Sequence, residues 1–259
     1  GDRHMKPAGV ILKIANTVLS SATVLTLLLA GAYALYALWD NRQIYASVDK
    51  VQADLLKLKP ELPEAAADPG ASFEELLSLN ADICAWVTVD NTTIDYPVVQ
   101  GESNLSYINK DVYGNFALAG SIFLDSRNDP GCKDRYSLLY GHDMVDYKMF
   151  GALELFKDQA FFEKNHSGRL ILPDRAYDLE IFALLLVTAS DNYIFEPQHW
   201  QTDDIDELLA YVKENAVFLH QETIEALQNS NSPQLLALST CSAEYTNART
   251  ILLAAMVPH

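Results

Sequence analysis

The sequence predicts a mostly β domain of barrel type, with short helices inserted between strands, behind one N-terminal membrane span. Three observations predict it. Ile14 to Leu38 runs 25 residues without a charge. From Cys84 onward come seven or eight short apolar segments, each bounded by Gly, Pro, Asn or Asp. Helical patterns interrupt these only briefly, unlike the regular strand–helix alternation of a parallel βαβ sheet.

The length of 259 residues suits one or two domains, and 49% hydrophobic residues supply a sizeable core. Eighteen Lys and Arg stand against 35 Asp and Glu, a net charge of −17. That balance argues against a phosphate-tracking nucleic-acid binder, whose affinity rests on clustered cations. Three cysteines cannot build a disulfide framework, and their separations of 48 and 109 residues match no zinc pattern. No metal site is expected.

Gly1 to His4, ahead of Met5, read as a cloning remnant, and residues 1–13 as a short cytoplasmic N-terminus. The uncharged run 14–38 is about 37 Å long as a helix, enough to cross a hydrocarbon core of roughly 30 Å with some tilt. A cleaved signal peptide has a shorter apolar region. Lys6 and Lys13 precede the run and Asp40 follows it, so the positive-inside rule sets the N-terminus in the cytoplasm and the remainder outside. Beyond residue 40 the chain keeps 15 cations against 33 acids, which suits a solvated surface.

Residues 39–71 read as a helical stalk and a Pro-rich linker. Ile44, Val48, Val51, Leu55 and Leu58 form a helical stripe, long enough to pack on the following domain and short for a coiled coil. Pro60, Pro63, Pro69 and Gly70 then break the period over 59–71. Ser72 and Glu75 have capping-box spacing and open a short helix through Leu79. Residues 72–259 form the main domain.

Strands are expected at 86–89 and 93–99, around an Asp90-Asn91-Thr92 turn, and then at 121–124, 136–140, 169–172 and 177–187. Helical stretches are expected at 147–155 and 158–164, with a longer helix over 202–215 opened by Thr202. Two apolar strands, 234–240 and 249–257, close the chain.

Chemistry concentrates at the ends of these last segments. Leu235 to Thr240 is an apolar strand ending in Cys241, and Arg249 opens the next strand, so a hairpin can set guanidinium beside thiol. Leu138-Leu139-Tyr140-Gly141-His142 is another apolar strand, ending in an imidazole. A cysteine transfer site needs a thiolate, a proton shuttle and an oxyanion donor. Arg is an unusual but sound donor, always charged and rigidly forked. Taken alone the pattern is not decisive, because strand-end cysteines are commonly inert thiols and five other histidines compete.

Several stretches together carry a resemblance. Asn91 to Gln100, Ala119 to Asp125 with Arg127-Asn128, Tyr140-Gly141-His142, Leu238 to Cys241 and Ala248-Arg249-Thr250 occur in the order found in class B sortases. These are membrane-anchored cysteine transpeptidases of Gram-positive bacteria. Phe73 to Val257 resembles such an enzyme, with a suitable anchor ahead of it. The 202–215 helix resembles the class B insertion. The Asp-Pro-aromatic lid of pilin-polymerising class C enzymes is missing, since Asp68-Pro69 is followed by Gly70.

The resemblance implies an eight-stranded sortase barrel in which His142, Cys241 and Arg249 meet at one end of a groove. Asn104, Tyr140, Tyr193 and Ser239 are the implied substrate-binding residues. Cys241 would attack a carbonyl in the C-terminal sorting signal of a secreted protein and pass the thioacyl cargo to an amine. That amine belongs to a peptidoglycan precursor or, alternatively, to a pilin lysine. Hydrolysis and a catalytically silent membrane-anchored binding module are further readings. No cofactor enters this chemistry. Some relatives carry Glu just after the cysteine where this chain has Ser242, so that residue's part in ordering substrate does not carry over.

Cys84, in Ile83-Cys84-Ala85-Trp86, is expected in the core. Cys132, in a polar loop, is expected to be exposed and dispensable. Asp125, Asn128, Asp129 and Asp134 lack the spacing and closing Glu of an EF-hand.

Overall fold

The computed structural model describes residues 7–62, 71–200, 205–241 and 248–259. It divides into two units, residues 1–47 and 48–259. The first consists of most of helix α1 (Pro7–Leu56), whose side chains Ile11, Leu12 and Leu25 to Leu29 are largely exposed. This helix is long and apolar enough to cross a membrane.

The second unit begins with the last turns of α1. Val48 and Leu55 are buried, and Val51 and Leu58 pack beside them, so this part of the stripe packs on its own domain. Gln52 donates to the Thr93 carbonyl at 3.2 Å, and Lys59 pairs with Asp95 at 2.8 Å. Helix α2 (Ala71–Leu79) starts one residue ahead of Ser72, whose side chain lies outside the described residues.

Among the described residues nine strands follow: β1 (Ile83–Val89), β2 (Asp95–Val99), β3 (Ile122–Leu124), β4 (Tyr136–His142), β5 (Ser167–Ile171), β6 (Ala176–Thr188), β7 (Phe218–Leu219), β8 (Leu235–Cys241) and β9 (Ala248–Pro258). Eight close a barrel in the order β5-β1-β2-β3-β4-β8-β9-β6, with β6 pairing back to β5. The β2–β3 and β4–β8 pairs are parallel. The two-residue β7 lies outside the ring, on the same edge of β6 that pairs with β5 further back. A bulge between Ile181 and Ala183 separates the two pairings.

Strands β8 and β9 are buried on both faces, which is why they read as continuous apolar runs. Leu236, Leu238, Leu252 and Ala254 fill the barrel with Leu139 and Phe150. Leu235, Ala237, Ile251 and Leu253 face outward and are covered by α5 (Asp206–Asn215) and α6 (Gln221–Gln228), through Leu208, Leu209 and Ile224. Two shorter helices have side-chain caps. Asp158 accepts from Phe161 N at the start of α3 (Gln159–Lys164), and Asp191 accepts from Ile194 N at the start of α4 (Asn192–Phe195).

Three expectations need correction. Residues 147–155 are not one helix; they are parts of two 3₁₀ turns, Val145–Tyr147 and Gly151–Lys157, separated by a reversal. Asp146, Tyr147 and Met149 adopt positive φ there, and Phe150 N donates back to the His142 carbonyl at 3.0 Å. The longer helix begins at Asp206, with Ile205 as its non-helical cap position, and not at Thr202, which lies outside the described residues. Cys132 is 1% exposed rather than on the surface. A tight turn from Asp129, with Cys132 at φ 48°, brings its thiol into the barrel core.

Candidate functional site

The parallel pairing of β4 with β8 runs in unbroken register from Tyr136–Leu235 to His142–Cys241. Apolar side chains along both strands fix that register, because a one-residue slip would turn every core residue outward. Their last residues are therefore backbone neighbours. On the other side of β8, β9 pairs antiparallel up to Ser239–Ile251, which leaves Cys241 and Arg249 each two residues further toward the same end. Strand alternation places positions 142, 241 and 249 on the outer face, with Tyr140, Ser239 and Ile251. The Cys241 side chain lies outside the described residues.

His142 is half-buried, and burial lowers its imidazole below the ordinary value. Its Nδ1 is buried without a hydrogen-bond partner among the described residues. Close packing behind it depends on two glycines. A Cβ on Gly141 would come within 2.4 Å of Ile122 and 2.7 Å of the Phe150 ring. A Cβ on Gly151 would meet the Met144 carbonyl at 2.1 Å. With both absent, Phe150 seats under the histidine strand and the 143–150 loop folds back on it. Tyr96 Oη accepts from Met149 N at 3.1 Å, Thr93 Oγ1 donates to the Tyr147 carbonyl, and Lys148 pairs with Asp49 of α1. The loop leaving His142 is thereby tied to the β1–β2 hairpin and the end of α1.

Asn104 and Tyr140 meet on one carboxylate. Asn104 Nδ2 donates to Asp125 Oδ2 at 2.9 Å and Tyr140 Oη donates to the same oxygen at 3.0 Å. Arg127 grips Asp125 with Nε at 2.9 Å and Nη2 at 2.8 Å, and reaches Glu196 Oε2 with Nη1 at 2.7 Å. Its Nη2 also donates to the Phe195 carbonyl, and Phe195 stacks over Tyr140, which stacks on Phe123. Asp125 is fully buried. Burial alone would raise its carboxyl, but hydrogen bonds from Arg127 and Asn104 outweigh that and hold it below the usual range. Burial and the Asp125 charge push the Tyr140 phenol up.

Ser239 pairs with Tyr140 in the β4–β8 register and is fully buried, its Oγ directed to the Thr240 carbonyl. Tyr193 stands apart from Asp125. It stacks on Tyr211 with ring centroids 4.4 Å apart and donates to Glu207 Oε1 at 3.1 Å. In the loop after β3, Asp134 Oδ2 accepts from Asn128 Nδ2 and Asp129 N, both at 2.8 Å.

Sequence reasoning missed Asp125, Arg127 and Glu196 as a single hub. A local signal exists, since Asp125-Ser126-Arg127-Asn128 after an apolar strand is an Asx turn, in which Asp125 Oδ1 accepts from Arg127 N at 3.0 Å.

Comparison with known proteins adds three findings. A Sortase domain model matches residues 87–257. Sortase B of Staphylococcus aureus is 27% identical over 243 residues, covering 93% of this chain and 96% of that protein; sortase B of Listeria monocytogenes is 31% identical over 187 residues, covering 71% and 74%. Among solved structures, a Streptococcus pyogenes class B sortase involved in pilus biogenesis is 37% identical, with a TM-score of 0.64 over 73% of this chain and 100% of that one. The S. aureus sortase B–substrate complex has a TM-score of 0.70 at 27% identity, over 84% and 98%.

Proposed function

The chain belongs to the sortase family, as a class B cysteine transpeptidase, and from that premise we propose Cys241, His142 and Arg249 as its catalytic residues. The observation that carries this is the register that makes His142 and Cys241 neighbours at the ends of β4 and β8, with Arg249 opening the next strand. Cys241 passes its thiol proton to His142 as its Sγ attacks a carbonyl carbon of the sorting signal, and Arg249 stabilises the charge gathering on the carbonyl oxygen. The peptide C–N bond breaks, and His142 delivers the proton that the departing amine needs. The acceptor amine then attacks the thioester, its proton passes to His142, and the Cys241 thiolate leaves and recovers that proton.

The reading extends to the chain's organisation: residues 1–13 cytoplasmic, 14–38 in the membrane, 39–71 a stalk and linker, and 72–259 the catalytic domain outside. Protease added to intact cells is expected to digest residues beyond 40 and spare the N-terminus; protection of the domain would reverse the topology. Asn104, Tyr140, Tyr193 and Ser239 are proposed to border the groove. For the first two this means shaping its wall, since their polar heads are turned to Asp125.

The proposed acceptor is an amine of a peptidoglycan precursor. A second reading, a pilin lysine, is favoured by the likeness to the S. pyogenes enzyme involved in pilus biogenesis. Intact-mass measurement of the protein with candidate sorting peptides tests the scheme. An acyl adduct on Cys241, discharged faster by an amine than by water, is expected. Discharge by a pilin lysine but not by wall-precursor amines would select the second reading. Absence of any adduct across sorting peptides would overturn both.

A further inference from the structure

Under the end of the barrel where β8 stops and β9 starts, four side chains outside the proposed catalytic set form a connected chain. Thr240 and Thr250 are neighbours in sequence of Cys241 and Arg249, and both are buried on the inner face. Regular pairing of β8 with β9 extends to Ser239–Ile251. One residue further on, a side chain joins the two strands: the Thr250 backbone N–H donates to Thr240 Oγ1 at 3.0 Å. Thr250 Oγ1 then donates to Glu154 Oε1 at 2.8 Å. The second oxygen, Glu154 Oε2, accepts from Lys157 Nζ at 2.6 Å.

Glu154 lies on the 3₁₀ turn Gly151–Lys157, directly after the loop that leaves His142. Its charge reaches that loop. Asp143, next to His142, is held above its ordinary value by partial desolvation first and by Glu154 second, with Lys157 opposing. One carboxylate thus bonds the strand carrying Arg249, is joined through it to the residue before Cys241, and sits on the turn that continues directly from the segment leading out of His142. A half-buried carboxylate loses hydration, and a hydroxyl donor plus a partly exposed ammonium is modest compensation for a purely structural pair.

We propose that Glu154 is a positioning residue that ties the 240–250 strand ends to the histidine loop, fixing the spacing of the three residues above it. The proposal rests on the transpeptidase reading. Adjacency gives it leverage: anchoring positions 240 and 250 on the inner face sets the backbone of their neighbours 241 and 249.

The test uses the full-length protein in detergent, with Glu154→Ala, Glu154→Gln, Thr250→Val and Thr250→Ser. Small misplacements of reacting groups are costly, so Glu154→Ala and Thr250→Val are expected to lower kcat about 10- to 100-fold with KM little changed. Glu154→Gln and Thr250→Ser keep an acceptor and a donor, and are expected to recover most of that loss. Hydrogen exchange supplies a readout that needs no substrate. Peptides covering 236–252 should exchange faster in Glu154→Ala and Thr250→Val while the rest of the barrel is unchanged. Unchanged exchange, unchanged kcat, or a fall in kcat that Glu154→Gln and Thr250→Ser fail to recover would overturn the proposal. A wild-type protein that forms no thioester defeats the transpeptidase reading instead, and the exchange data still decide whether the tether exists.

Discussion

Two polar regions of the barrel differ in how completely they are satisfied. Around Asp125, a fully buried carboxylate takes donors from Arg127, Asn104 and Tyr140, and the guanidinium continues to Glu196 and the Phe195 carbonyl. At the ends of β4, β8 and β9, His142 has a buried Nδ1 with no partner among the described residues and a lowered affinity for protons. The first region has the features of structure: charges paired, both oxygens occupied, rings stacked around it. The second is the region proposed for chemistry, and a site that must exchange protons needs a lone pair available.

The largest effect that separates the regions is loss of the thiol. Cys241→Ala is expected to abolish the acyl adduct in intact-mass measurements. Cys84→Ala and Cys132→Ala should retain it. Burial pushes the Cys132 thiol up to about 12 and raises Cys84 as well, so neither supplies thiolate near neutral pH. An adduct on Cys241→Ala would place the reaction elsewhere.

Next comes Arg249. Removing one oxyanion donor typically costs about 10²–10³ in rate, so Arg249→Ala should lose that much kcat with near-normal melting. Lysine keeps the charge without the planar fork and should recover little. Near-normal turnover in Arg249→Ala would return this residue to an ordinary structural role. In that role it would pair with an acid of the same hairpin such as Glu244, which lies outside the described residues.

Asp125 should behave in the opposite way. Asp125→Ala leaves Arg127 facing a void and removes the acceptor shared by Asn104 and Tyr140. Arg127 is partly exposed and keeps Glu196, so the cost falls mainly on the donors left without an acceptor, about 1–3 kcal/mol, measurable by urea unfolding in detergent. Activity should fall chiefly with the folded fraction. A stable Asp125→Ala with normal unfolding and a large, isolated loss of kcat would mean that the hub belongs to the chemistry.

How much of this was legible follows the same division. Strands β4, β8 and β9 are readable because both faces are buried, which leaves apolar runs that end at His142 and Cys241 or open at Arg249, while the runs alone do not decide the chemistry. Strand β7 is not, since two half-buried residues, Phe218 and Leu219, carry no period. The helix α6 was missed because its buried set is only Ile224 and Leu227. The reversal after His142 depends on positive φ at Asp146, Tyr147 and Met149, residues with no glycine signature. Asn104 and Tyr140 were picked out, but their convergence on Asp125 joins residues 15 and 21 apart. Local patterns cannot report that.

The smallest expected effect is a difference in pH dependence, and it separates the regions by where each titrates. The His142 imidazole lies below 6.5 because burial disfavours its charged form. As pH falls below 6.5, the unfolded chain binds a proton there that the folded chain resists. Stability is therefore fully present above the unfolded value and is lost as pH falls toward the folded one. Asp125 is also depressed, but from 3.8, so its contribution persists through this range and is lost only in more acid solution. Cys241→Ala is the right background, because it removes any charge from the thiol. In that background, melting is expected to fall between pH 7.5 and 5.5, and His142→Gln should flatten part of the slope without altering the steeper loss below about pH 4. An identical slope in His142→Gln would mean that this imidazole titrates as it does in the unfolded chain, and the contrast with Asp125 would then rest on geometry alone.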